Sequence, residues 1–87
     1  MILWGRSSSV NVQKVLWGLE EQGLVYEHKI VGGKFGGTDD PEFTALTPVW
    51  RIPVLQDGDV TLFESNAILR YLANGQTTPV ADMWMEF

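Results

Sequence analysis

Cysteine is absent from this 87-residue chain. That excludes disulfides, thiolate metal ligands and any C-x-x-C redox pair. Histidine occurs once, as His28, so an imidazole-based zinc site is not expected either. Basic residues are few and scattered: six Lys and Arg against eleven Asp and Glu give a net charge of −5. Nucleic-acid binding needs a basic patch that such a chain does not offer. No apolar run approaches the roughly 20 residues of a membrane span. The opening MILWGRSSS lacks the charged start and long apolar core of a signal peptide. The expected location is the cytoplasm. Internal repeats and low-complexity tracts are also missing. Any sulfur or metal chemistry must be borrowed from a ligand.

What is present is an ordinary globular composition, 45% hydrophobic and 20% charged. The length suits one domain with a small core. The most informative stretch is 51–66, RIPVLQDGDVTLFESN. An apolar run, Ile52-Pro53-Val54-Leu55, meets Asp57-Gly58, a two-residue hairpin signal. A second strand, Val60 to Phe63, runs directly into Glu64-Ser65, where a helix pattern begins. Proline cannot donate to a strand ladder, so Pro53 belongs at a strand's head or in a turn. A cis bond there would hold the backbone of Ile52 open to a ligand. Ser65 stands at a helix N-terminus, where N–H groups and the dipole favour an anion. A free backbone edge, a carboxylate and an anion pocket are thus expected side by side.

The rest of the chain supplies a scaffold. Met1 to Trp4 reads as a short buried strand ended by Gly5, and Ser7-Ser8-Ser9 is a cluster of N-cap residues. Val12, Val15, Leu16 and Leu19 fall on one helical face, with Gly23 as the stop. A second strand is expected over Val25–Val31, and Asp39-Asp40-Pro41 signals a short helix over Pro41–Ala45. Ile68, Leu69 and Leu72 form the apolar face of a helix from Ser65 to about Ala73. The order βαβ–α–ββα predicts an α/β fold: a four-stranded mixed sheet with helices on both faces, the thioredoxin-like architecture. Residues 74–79 have a linker composition. Beyond them Val80, Met83, Trp84 and Phe87 form a helical apolar stripe. That stripe should dock on the face shared by the helices over Val10–Gln22 and Ser65–Ala73, of its own chain or of a partner, the latter giving a homodimer through 80–87.

Three segments, in order, carry a family resemblance. They are LWGRSSSVNVQKVLWGLEEQGLVYE at the start, Ile52-Pro53-Val54-Leu55, and Glu64-Ser65-Asn66-Ala67-Ile68. Over residues 1–74 the chain resembles the N-terminal thioredoxin-like domain of a cytosolic glutathione transferase, closest to bacterial, serine-type members akin to the theta and delta classes. Residues 75–87 resemble a shortened linker and the first turns of the helical domain that follows in that family.

The resemblance implies glutathione as co-substrate, no metal, and attack of its thiolate on a small electrophile of unknown identity. Ser9 resembles the family's catalytic serine, the hydroxyl that holds the thiolate; Ser8 and Asn11 are the fallback donors, and a plain N-cap is the other reading of Ser9. Ile52, ahead of Pro53, resembles the backbone pair that grips the cysteinyl unit. Glu64 and Ser65, followed by Asn66, resemble the clamp on the γ-glutamyl end. The glycyl carboxylate falls to Trp50, Arg51 or Lys34. The alternative function is a non-catalytic thioredoxin-fold module that binds glutathione or a protein.

Overall fold

The computed structural model describes residues 1–73. Strand β1 (Ile2–Trp4) leads through helix α1 (Val10–Glu21) to β2 (Glu27–Lys29). A 3-10 turn (Gly33–Phe35) and helix α2 (Pro41–Thr44) precede the hairpin β3 (Val54–Asp57) and β4 (Val60–Phe63), which feeds α3 (Ser65–Leu72). The sheet order is β2-β1-β3-β4, with β1 parallel to β2 and the other two pairings antiparallel. This is the thioredoxin-like arrangement, a mixed sheet with helices on both faces.

The two-residue period of the central strands sorts side chains between two cores. Leu3 and Leu55, paired across β1 and β3, point to the side where Val12, Val15 and Leu19 of α1 meet Ile68 and Leu72 of α3. All but Leu72 of these are fully buried. Trp4 and Val54, the next pair, point the other way onto Phe43 of α2. The Trp4 and Phe43 rings lie 5.9 Å apart, and the indole Nε1–H donates to Gln56 Oε1 at 2.7 Å. Lys29 lies over that indole, its Nζ 4.6 Å from the ring centroid and 3.2 Å from Glu42 Oε1. Helix α1 ends in a Schellman motif, with Leu24 N–H bonded to Leu19 O and Gly23 N–H to Glu20 O. Trp4 is thus a packing residue. His28 is structural too, half-buried, its Nε2–H donating to the Gly5 carbonyl.

Several boundaries differ from those expected. Strand β2 covers only Glu27–Lys29, because its single partner β1 offers three residues; Val25, left beyond the ladder, is 90% exposed. The hairpin turn is Gly58-Asp59, one residue later than the Asp57-Gly58 pair, since Asp57 still pairs with Val60. Gly58 has φ +59 and Asp59 is not among the positive-φ residues. A turn with left-handed φ at its first central position alone wants glycine there. Strand β3 starts at Val54, not Ile52, which leaves Pro53 outside the ladder. The 3-10 turn at Gly33–Phe35 carried no periodic signal. The stripe Val80, Met83, Trp84 and Phe87 lies outside the described residues, as does the linker.

Candidate functional site

Where the loop before β3 faces the start of α3, a cleft of about 90 Å³ opens. Val49, Arg51, Ile52 and Pro53 form one wall. Phe63, Glu64 and Ser65 form the other, and Asn11 of α1 closes an end. The hairpin brings these walls together: Val54 and Phe63 are cross-strand partners, so the residues preceding one and following the other emerge at the same end of the sheet.

The loop wall is anchored from below. Thr47, 2% exposed, accepts the Val49 N–H on its hydroxyl at 3.3 Å. The Ile52–Pro53 bond is cis, and Ile52 precedes the strand, so its backbone polar groups stand outside the ladder. Its side chain is seated against Gly5; a Cβ on that glycine would come within 3.2 Å of Ile52 Cβ and 2.5 Å of Val12 Cγ2.

The helix wall carries the charge. Glu64 is the residue before α3, at φ +76 and ψ +114, a conformation that side-chain-bearing residues avoid. Such a conformation costs about 1–3 kcal/mol and persists where the surroundings impose it. Its carboxylate makes no cap bond and is exposed, while its carbonyl takes the Ile68 N–H at 3.0 Å. Ser65 is buried, and its hydroxyl lies 3.5 Å from Asn11 Oδ1, a long contact that ties α3 to α1. The N–H groups at the head of α3, on the positive end of the helix dipole, and the carboxylate of Glu64 therefore present opposite polarities at one opening.

The structure gathers Asn11, Arg51, Ile52, Pro53, Glu64 and Ser65 into this cleft. Ser9, Ser8, Trp50, Lys34 and Asn66 are not among its lining residues. Ser9 is the N-cap of α1 by backbone, φ −76 and ψ 132, but its hydroxyl makes no cap bond. The Ser8 hydroxyl accepts from Arg6 Nη1 at 2.9 Å. Trp50, at φ +52 and 57% exposed, stands between two lining residues. Lys34 lies in the 3-10 turn with its ammonium 5.4 Å from the Phe35 ring. Asn66 is half-buried in the first turn of α3. Val49 and Phe63 were not foreseen as lining; Phe63 was legible as the residue before Glu64, whereas no pattern marked Val49. Among the described residues there is no cluster of three or more potential metal ligands and no helix long and apolar enough to cross a membrane.

Residues 1–74 match the family model of the glutathione S-transferase N-terminal domain. The chain belongs to the glutathione S-transferase family. Glutathione S-transferase GstB of Escherichia coli (strain K12) is 51% identical over 73 residues, a match covering 82% of this chain and 35% of that protein. Glutathione S-transferase 3 of Zea mays is 42% identical over 81 residues, 93% of this chain and 36% of that one. Among solved structures, the theta class glutathione S-transferase of Xanthomonas axonopodis pv. citri, with glutathione bound, matches with a TM-score of 0.85 at 45% identity. That match covers 98% of this chain and 46% of the Xanthomonas chain. The chain therefore spans about a third of the length of these curated glutathione S-transferases.

Proposed function

We propose that this chain is the glutathione-binding part of a glutathione transferase that joins the glutathione thiolate to an electrophilic carbon. The observation carrying this reading is the cleft in which Ile52, Glu64 and Ser65 meet. Pockets that enclose a drug-sized ligand run to about 300–1,000 Å³. At about 90 Å³ this one suits a single amino-acid end of a tripeptide. The γ-glutamyl end fits its polarity: the ammonium goes to the Glu64 carboxylate, and the carboxylate to the Ser65 hydroxyl and the first N–H groups of α3. The cysteinyl backbone then pairs with Ile52 in a short strand addition, and the glycyl carboxylate falls to Arg51, with Trp50 and Lys34 as the other candidates.

The remaining task is to ionise the thiol, since the thiolate is the nucleophile. A free thiol has a pKa near 8.5, and each unit of depression requires about 1.4 kcal/mol of preference for the anion. Ser9 supplies it by donating its hydroxyl, which the missing cap bond leaves available. The thiolate forms the new C–S bond as the leaving group departs with its electron pair. We place this chemistry in the cytoplasm, where the glutathione pool is kept reduced.

A second reading, a glutathione-binding module without catalysis, is favoured by one observation: Ser9 does not line the cleft. Paired measurements on the 87-residue chain separate the two. Calorimetric titration should give a micromolar to millimolar Kd, about −4 to −8 kcal/mol. Thiolate absorbance of the bound ligand should then show a midpoint below that of free glutathione. Binding with an unshifted midpoint supports the module, and no binding removes both readings.

A further inference from the structure

We infer that Arg6 is a positioning residue for the serine loop at the head of α1, holding Ser7–Ser9 in place and setting a permanent positive charge beside Ser9. This rests on the glutathione reading above and extends it to a residue outside the cleft. Arg6 ties the loop from both of its ends. Its carbonyl accepts the Ser9 N–H at 3.2 Å, and its guanidinium Nη1 donates to the Ser8 hydroxyl at 2.9 Å. Its own N–H is fixed to Val31 O at 2.8 Å, so the residue hangs from the sheet end rather than from the loop. Gln13 adds a tie from inside the helix, Nε2 to Ser7 O at 3.1 Å.

Two features set this arginine apart from an ordinary surface charge. Its Nε is buried and has no acceptor among the described residues. A desolvated donor of this kind is costly and calls for an explanation beyond solubility. The arm is also laid against Gly33, which has φ +56; a Cβ there would come within 2.6 Å of Nε and 2.9 Å of Cδ. Residue 33 must lack a side chain for Arg6 to lie as it does. The neighbouring glycines Gly5 and Gly32 both abut the side chain of Ile52, the residue expected to grip the cysteinyl unit, so the chain on either side of the arm packs on that residue.

The chemistry follows from the guanidinium. It carries its positive charge on a planar fork of donors rather than on a point. A fixed cation near a thiol favours the thiolate, and a held loop spares the Ser9 hydroxyl the entropy of finding its acceptor. The Arg6 bond orients the Ser8 oxygen toward the guanidinium, and the Ser9 hydroxyl, which makes no cap bond, is the one assigned to the sulfur.

The test is a pH titration of bound glutathione's thiolate absorbance in the 87-residue chain and in Arg6→Gln and Arg6→Lys. The Gln variant should raise the thiol midpoint by about 0.5–1 unit, leaving roughly three- to tenfold less thiolate at neutral pH. The Lys variant, which keeps the charge and loses the fork, should fall between Gln and wild type. Glutathione should still perturb the amide signals of Ile52 and Ser65 in both. An unchanged midpoint in Arg6→Gln overturns the inference and leaves the glutathione site standing. Should Arg6→Gln melt below the assay temperature, Arg6→Lys decides: a raised midpoint supports the role and an unchanged one overturns it. Failure of the wild-type chain itself to bind glutathione is read separately in the same titration; it removes the underlying reading and this inference with it.

Discussion

Replacing Glu64 with glycine sets the strain of the site against its chemistry. At φ +76 and ψ +114 a glutamate is held in a region open chiefly to glycine. The conformation costs about 1–3 kcal/mol, which Glu64→Gly releases. Against this, the unfolded chain gains freedom at the new glycine, about 0.5–1 kcal/mol. Glycine is also a tolerable N-cap, and the native carboxylate contributes no cap bond that would be lost. The net expectation is a gain of about 1 kcal/mol. In a chain this short that is a rise in Tm of about 4–8 °C, measured by circular dichroism. Glutathione affinity should move the other way. Loss of one charge-assisted contact, about 1.5–3 kcal/mol, weakens binding roughly ten- to a hundredfold. Glu64→Gln separates the effects, since it keeps the strain and loses the charge: no gain in Tm, weaker binding. A Glu64→Gly protein melting at or below wild type would refute the strain argument, and one binding glutathione as tightly as wild type would refute the clamp.

Other expectations follow from the same geometry. Ser9→Ala should raise the thiol midpoint of bound glutathione while changing the chain's Tm little, because no cap bond is lost; equal midpoints by thiolate absorbance would return Ser9 to a purely local role. Phe43→Ala should cost about 3–5 kcal/mol, enough to unfold much of a small domain in a urea titration, since the ring is fully buried between Trp4 and Val54. The Tyr71 hydroxyl is held above its ordinary 10.0 by its hydrogen bond to Asp57, then by burial and by the Asp57 charge. Stability from that contact is therefore complete below the unfolded tyrosine pKa near 10 and is lost as pH rises through the higher folded value. Ultraviolet titration should show a late tyrosinate step that disappears in Tyr71→Phe and moves earlier in Asp57→Asn.

The parts of the fold that could be read in advance are those where side-chain period and burial agree. Val12, Val15 and Leu19 share one face of α1, and Ile68 and Leu72 share one face of α3; both stripes meet Leu3 and Leu55 in one core. The ends of elements were less legible, because a partner decides them. Strand β2 stops where β1 runs out of pairing groups, although Val25 and Ile30 have strand-like side chains. The turn is Gly58-Asp59 because the left-handed φ falls at its first central position, a matter of one residue that an Asp-Gly pair does not decide.

The cleft follows the same rule. Ile52, Pro53, Glu64 and Ser65 flank one hairpin, so recognising the hairpin was enough to place them together. Arg6 and Val49 depend on how irregular loops fold over the sheet end, which no period encodes. Ser9 marks the limit of pattern reading: its position as N-cap was legible, but whether its hydroxyl is spent on the cap depends on a rotamer.

The central claim, that glutathione is held between the Ile52 edge and the head of α3, is tested most directly by a glutathione titration of the isotope-labelled 87-residue chain, followed through backbone amide signals. The account predicts saturable shifts at Ile52, Glu64 and Ser65, with Val25 and Asp59, both outside the cleft, unmoved. Saturating glutathione that leaves the Ile52 and Ser65 signals in place, or that moves Val25 and Asp59 instead, would contradict it.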